Sequence, residues 1–225
     1  MSLPQKLMIF AKAPEAGRVK TRLQLSGDDA AALHGAFVLD VIERHKRPER
    51  VVTVWRTGDL EHVFWTDLEV ALKTQSEGTL GDRLAEAFCG ELTSGSSVVV
   101  LGTDSPTLPP ALVDAAFAAL DEVTCVIGPA CDGGYYLLGM RGEVAPVFLD
   151  DMRWGTEEVL PRTLKALEES GTSHRVLDFW YDVDRPADLA LMCAHMPVLR
   201  RTGIPLPRRA LTTIEERHLT GPNPL

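Results

Sequence analysis

Long apolar runs are missing from this 225-residue chain. None approaches the ~20 consecutive residues that span a bilayer, and the first residues lack the basic, apolar and small-residue order of a secretion signal. Cysteine is scarce. Cys89, Cys125, Cys131 and Cys193 are spaced too irregularly for a CxxC pair or a disulfide framework, so reduced thiols in a cytoplasmic protein are expected. The six histidines show no metal-ligand spacing, and no internal repeat is present. Positive charge is also short. A total of 23 Lys and Arg against 32 Asp and Glu leaves a formal charge of -9, which disfavours loose binding to nucleic acid or to an anionic membrane. A small anion can still be held wherever the few cations cluster.

What is present is an alternation of strand and helix signals. Leu7 to Ala11, Val51 to Trp55, Leu68 to Leu72, Val98 to Leu101, the CVIG run at Cys125, the second half of GPACDGGYYLLGM, and His174 to Leu177 read as strands. Helical spacing marks Asp28 to Lys46, a stretch from Thr79 to about Leu92 with a Thr79–Asp82 capping box, Pro110 to Asp121, Glu157 to Ser170, and a last helix after YDVDRPADL. The unbroken run Val98 to Leu101 suits a strand covered on both faces of a parallel sheet. An α/β fold of three layers with a mostly parallel sheet and right-handed crossovers is expected. One domain over residues 1–195 is expected, followed by an irregular Pro- and Arg-rich tail over 196–225 with one helical turn near Ile214.

Open parallel sheets bind ligands at the carboxyl ends of their strands. Ala11 ends the first strand. Beyond it, Arg18, Lys20 and Arg22, with Gly17 and Thr21 between them, offer charge, open backbone and a hydroxyl for a phosphate, or form a solvated basic loop. Asp104 follows the VVVLG run and reads either as an oxygen ligand for Mg²⁺ or as a turn or helix cap. Asp182 and Asp184, two apart in an extended segment, share a face and can complete that site, although Asp184 also stands where a helix cap is common. Asp132, with Gly133, Gly134 and Tyr135, supplies a surface for sugar hydroxyls and a candidate general base, or simply a tight turn. Trp154 stacks on a sugar or packs in a core. Gln75 with Gly78 and Gly81 can receive a nucleobase. Arg200, Arg201, Arg208 and Arg209 read as a solvated tail unless they fold over the phosphates.

The segments FAKAPEAGRVKTRL, QSEGTLGDRL, LGTDSPTL, GPACDGGYYLLGM and YDVDRPADL, in this order between residues 10 and 189, resemble a bacterial GT-A-like family of glycosyltransferases associated with arsenosugar biosynthesis. The resemblance implies a Rossmann-like GT-A fold, with Lys20 and Arg22 facing a diphosphate and Gln75 the base. It also implies Asp104 as the metal-binding aspartate for Mg²⁺ or Mn²⁺ and Asp184, with Asp182 beside it, as the second carboxylate. A nucleotide-sugar donor and a small acceptor are the partners this implies. KTRL and DVDRPADL also resemble phosphosugar and phospholactate nucleotidyltransferases, which release pyrophosphate. A nucleotide-binding module without turnover is the third reading.

Overall fold

Strand alternation sets the layers. In β1 (Gln5–Lys12), Leu7, Ile9 and Ala11 join the core cluster on one face, while Met8 and Phe10 join the cluster on the other. The computed structural model describes residues 5–93 and 95–219. The further strands are β2 (Arg50–Thr57), β3 (Ala71–Thr74), β4 (Ser97–Leu101), β5 (Cys125–Pro129), β6 (Tyr135–Arg141) and β7 (His174–Val176). The helices are α1 (Gly27–His45), α2 (Leu80–Glu91), α3 (Pro110–Ala119), α4 (Val159–Glu169), α5 (Pro186–Arg201) and α6 (Arg208–Glu216). Val38, Val41 and Ile42 of α1 pack with Val113, Ala116 and Phe117 of α3 on the first face; Leu84 and Phe88 of α2 pack with Leu167 of α4 on the second. Three layers result.

The sheet order is β3-β2-β1-β4-β6-β5-β7. All pairings are parallel except those of β6, which runs antiparallel to both β4 and β5. The chain leaves β1 toward β2 on one side and later enters β4 on the other, so the crossovers diverge between β1 and β4. That divergence opens a crevice beyond the carboxyl ends of the two strands. No helix among the described residues is long and apolar enough to cross a membrane.

Two expectations need correction. The strand expected over Leu68 to Leu72 begins only at Ala71, because Leu68 and Val70 bury themselves as loop residues against the core while the edge strand itself stays largely exposed. The segment 196–225 is not an irregular tail in its described part. α5 continues through Pro197 to Arg201, and α6 follows from Arg208 to Glu216. A helix-interior proline costs about 3 kcal/mol. Beyond it, however, Leu199 is buried, as are Ala210, Ile214 and Leu219, and each large apolar side chain returns roughly 1.5–3 kcal/mol. α6 is also fixed at its start, where Asp40 of α1 accepts the N–H groups of Arg209 (3.1 Å) and Ala210 (2.8 Å). Residues 220–225 lie outside the described residues.

Candidate functional site

The loop after β1 turns inward at Lys20. This residue adopts a left-handed conformation (φ 48°, ψ 32°), unusual for a non-glycine, and starts a 3-10 turn over Thr21–Leu23 that Gln24 closes in the same conformation. Leu23 anchors the turn in the core. The side chain of Lys20, only 2% exposed, crosses the ring of Phe37 at 5.2 Å. Its Nζ donates to Asp104 Oδ1, to Val183 O at 2.7 Å and to Asp184 Oδ1 at 3.1 Å. Burial works to lower the Lys20 pKa, but the two carboxylates outweigh it and the net shift is upward. For Asp104 burial works to raise the pKa, and Lys20 reverses it, so the carboxylate is held below its usual range.

Both carboxylates are presented by backbone that is tied down elsewhere. Asp104 sits three residues past β4, and its carbonyl accepts from Val183 N at 2.8 Å, which stitches the β4 loop to the strand-like segment before α5. It does not cap α3, which starts at Pro110 behind Pro109 without a side-chain cap. Nor does Asp184 cap α5. Asp188 performs that task, with Oδ2 accepting from Asp184 N (3.1 Å) and Arg185 N (2.7 Å), so the Asp184 carboxylate remains available to the cleft. Asp182, two residues before Asp184, engages the Ser105 hydroxyl instead of Lys20. Burial, with Asp104, Asp132 and Asp184 nearby, pushes its pKa up to about 7 despite that bond.

These groups line a cleft of about 360 Å³ between β1 and β4. Of the residues expected from the sequence, Ala11, Arg18, Lys20, Gln75, Asp104 and Asp184 line it. Gln75 is buried and its amide is committed, Nε2 donating to Trp55 O (2.7 Å) and Oε1 accepting from Arg83 (2.9 Å). Each aspartate spends Oδ1 on Lys20 Nζ, while the side chains of Asp104 and Asp184 stay 45% and 39% exposed, which leaves carboxylate oxygen open to the cleft. Such a donor pair fits a hard divalent cation completed by phosphate and water oxygens. Among the described residues no three or more His, Cys, Asp or Glu side chains group to hold a metal by themselves.

Other expected residues have structural duties. Thr21 and Arg22 are exposed on the 3-10 turn and do not line the cleft; Gly17 supplies a positive φ (73°) in the loop. Gly78 also has positive φ (105°) and makes room for the Asp82 carboxylate of the capping box. Trp154 packs: a Cβ at Gly81 would meet its indole nitrogen at 2.6 Å, and the rings of Tyr135 and Phe148 stand 6.3 and 6.4 Å away. Asp132 accepts from Gly134 N at 2.9 Å, the tight-turn arrangement, and is exposed on the β5–β6 turn near Asp182. Gly133 there takes φ 91°, and the backbone of Glu157 passes 2.4 Å from where a Cβ would sit, so both the turn and its packing call for glycine. Arg208 and Arg209 border a separate groove between α1 and α6, away from Lys20.

Sequence reading missed Lys12, His34, Thr57 and Arg83, which also line the cleft. His34 is buried, and its Nε2 is 3.1 Å from Lys12 O; a carbonyl only accepts, so Nε2 carries the proton. Burial lowers its pKa, with Lys20 adding to that and Asp104 opposing it. Lys12 Nζ donates to Arg18 O at 3.0 Å and braces the basic loop. Helical spacing marked the buried face of α1 but gave no sign that one of its polar residues reaches the cleft.

No curated protein sequence matches the chain. Among solved structures it is similar to a protein from Desulfovibrio desulfuricans G20, provisionally named a nucleotide-diphospho-sugar transferase, at 31% identity and a TM-score of 0.81, covering 98% of this chain and 97% of that one. It also shares its fold with a CMP:2-keto-3-deoxy-manno-octonic acid synthetase complexed with CTP (14% identity, TM-score 0.55, 86% of this chain and 98% of that one). A third is the 4-diphosphocytidyl-2C-methyl-D-erythritol synthase of Anaerococcus prevotii DSM 20548 (13% identity, TM-score 0.56, 86% and 99%). The model of a family described as an uncharacterized protein conserved in bacteria, DUF2064, matches residues 10–156, well over half of the chain. This protein therefore belongs to the DUF2064 family.

Proposed function

We propose that the protein transfers a sugar from a nucleoside diphosphate-sugar to a small acceptor. The observation that carries this reading is the meeting of Lys20, Asp104 and Asp184 in the crevice between β1 and β4, a cation and two carboxylates drawn from three distant segments. The name of the relative at 31% identity supports it. When bound there by Asp104 and Asp184, Mg²⁺ or Mn²⁺ supplies charge neutralisation to a departing diphosphate. Lys20, whose three N–H groups go to Asp104, Val183 O and Asp184, holds the two carboxylates in place for that role, and Arg18, with its side chain 68% exposed, serves as a looser clamp on the diphosphate. Arg22, exposed and outside the cleft lining, is given no part in this reading. Asp132, on the β5–β6 turn with Asp182 nearby, is the candidate base in this reading; normal turnover of Asp132→Asn would remove it from that role.

The test is incubation with Mn²⁺ and a panel of nucleotide sugars and nucleoside triphosphates. Release of nucleoside diphosphate from a nucleotide sugar is the expected result. Pyrophosphate release from a triphosphate with a phosphorylated acceptor would replace glycosyl transfer by nucleotidyl transfer, and binding without turnover would reduce the protein to a nucleotide-binding module.

A further inference from the structure

We infer that Arg83 selects the base of the nucleotide, favouring bases that carry a ring carbonyl over adenine. This rests on the reading of the cleft as a nucleoside diphosphate site. Two bonded groups line the cleft: Lys20 joins Asp104 and Asp184, and Arg83 joins Gln75, with Phe10, Thr57 and Leu80 adding apolar surface and a neutral polar group to the lining. Leu80 remains 36% exposed at the first turn of α2, a large apolar side chain left open to a flat partner. The Lys20 group, with Arg18, suits a diphosphate, and the Arg83 group suits a base.

Arg83 is held by neutral oxygens, with Nη1 donating to Gln75 Oε1 at 2.9 Å and Nε to Thr79 O at 3.3 Å. Gln75 is itself pinned through Nε2 to Trp55 O, so a chain of bonds running back to β2 fixes the guanidinium. The N-terminus of α2 is equally constrained, by the Thr79–Asp82 capping box and by the Trp154 indole filling the space beside Gly81. Two of the five guanidinium N–H groups are used in these bonds and three are left, all donors. A donor-only group that cannot shift reads acceptors. Guanine and cytosine offer a carbonyl oxygen beside a ring nitrogen acceptor, and uracil offers carbonyl oxygens. Adenine offers no carbonyl, and its amino group, itself a donor, adjoins both N1 and N7, so it meets the guanidinium donor to donor.

The experiment is calorimetric titration of the full chain with GDP, CDP, UDP and ADP in the presence of Mg²⁺, repeated for Arg83→Met and Arg83→Lys. In the unaltered protein ADP is expected to bind at least tenfold more weakly than the best of the other three. Arg83→Met is expected to weaken that best ligand at least tenfold while leaving ADP within about twofold, which flattens the ranking. Arg83→Lys, which keeps the charge but loses the planar fork, is expected to recover only part of the preference. ADP binding as tightly as the others, or a ranking unchanged in Arg83→Met, overturns the assignment of Arg83 while leaving the nucleotide site intact. Failure of all four to bind overturns the nucleotide reading itself. Unchanged thermal unfolding of both variants assigns any loss of ranking to the side chain; if Arg83→Met does not fold, the ADP ratio in the unaltered protein and the Arg83→Lys ranking still decide.

Discussion

Lys20 combines three features that seldom coincide: a left-handed backbone, near-complete burial of the side chain, and two carboxylates on one ammonium. A non-glycine residue in this region costs of order 1–3 kcal/mol, and such strain persists only where the surroundings enforce it. Here the anchor is Leu23, buried three residues on. Lys20→Met is expected to lower turnover about 10²-fold, because Asp104 and Asp184 lose the ammonium that positions them, as measured by diphosphate release under saturating donor. Lys20→Arg is not expected to rescue it, since the ammonium meets Asp104, Val183 O and Asp184 at a single point and a planar fork does not. Asp182 provides the pH dependence. Its folded pKa of about 7 exceeds the ordinary carboxylate value of 3.8, so between those values the folded chain keeps a proton that the unfolded chain has lost. Stability therefore falls as pH rises through that window and levels off above it. Asp182→Asn removes this slope: the variant should match the parent in thermal unfolding near pH 4 and exceed it at pH 8 by roughly 1–2 kcal/mol, a share of the ~1.4 kcal/mol per pKa unit discounted for partial exposure. Equal stability of the two proteins at pH 8 would refute the burial of that charge.

Elements decide which of these side chains face the cleft. At the start of α5 the two roles available to a carboxylate, cap and ligand, are divided between Asp188 and Asp184. Removing the cap in Asp188→Ala should cost about 1 kcal/mol of stability. Turnover should fall further than that loss explains, because the backbone presenting Asp184 is no longer held; a variant with parental turnover at 25 °C would show that Asp184 does not depend on the cap. The same division explains what could be read without coordinates. Unbroken apolar runs revealed β1 and β4, the Thr79–Asp82 spacing revealed the start of α2, the rule that ligands gather after strands pointed to Lys20 and Asp104, and the two-residue spacing of Asp182 and Asp184 pointed to the second carboxylate. That rule is blind to helices. His34 lies in the interior of α1 and Arg83 one turn into α2, and both reach the cleft only because packing turns those faces inward. Arg22 is absent from the cleft lining for the related reason that charge spacing in a loop carries no direction; on the 3-10 turn the Lys20 side chain is buried and Arg22 is exposed. Pro197 looked like an end to helix because the apolar residues beyond it, which hold α5 and α6 in place, bury against segments far away in sequence.

At the scale of the molecule, one apolar cluster links the candidate site to the C-terminal helices. Leu23 under the Lys20 turn, Leu33 and Phe37 of α1, Val183 beside Asp184, Leu189, Met192 and Leu199 of α5, and Ala210 and Ile214 of α6 pack together. The cleft's basic loop and its second carboxylate therefore rest on the same support, and α6 covers part of it. A chain ending at residue 203 would uncover this cluster and remove Asp40's two backbone partners, leaving a carboxylate that burial has already raised in pKa without the N–H groups that offset it. Losing Ile214 and Leu219 alone forfeits roughly 3–6 kcal/mol of apolar burial, a large part of the 5–15 kcal/mol typical of a folded protein. The truncated protein is expected to unfold at least 10 °C below the parent and to bind nucleoside diphosphate at least tenfold more weakly, through displacement of Leu23 and Val183 and with them Lys20 and Asp184. Saturating nucleotide should recover part of the thermal loss, by mass action on whatever folded fraction retains the cleft. Parental affinity in a truncated protein of lowered stability would separate the two effects and show that α6 supports the fold without positioning the site.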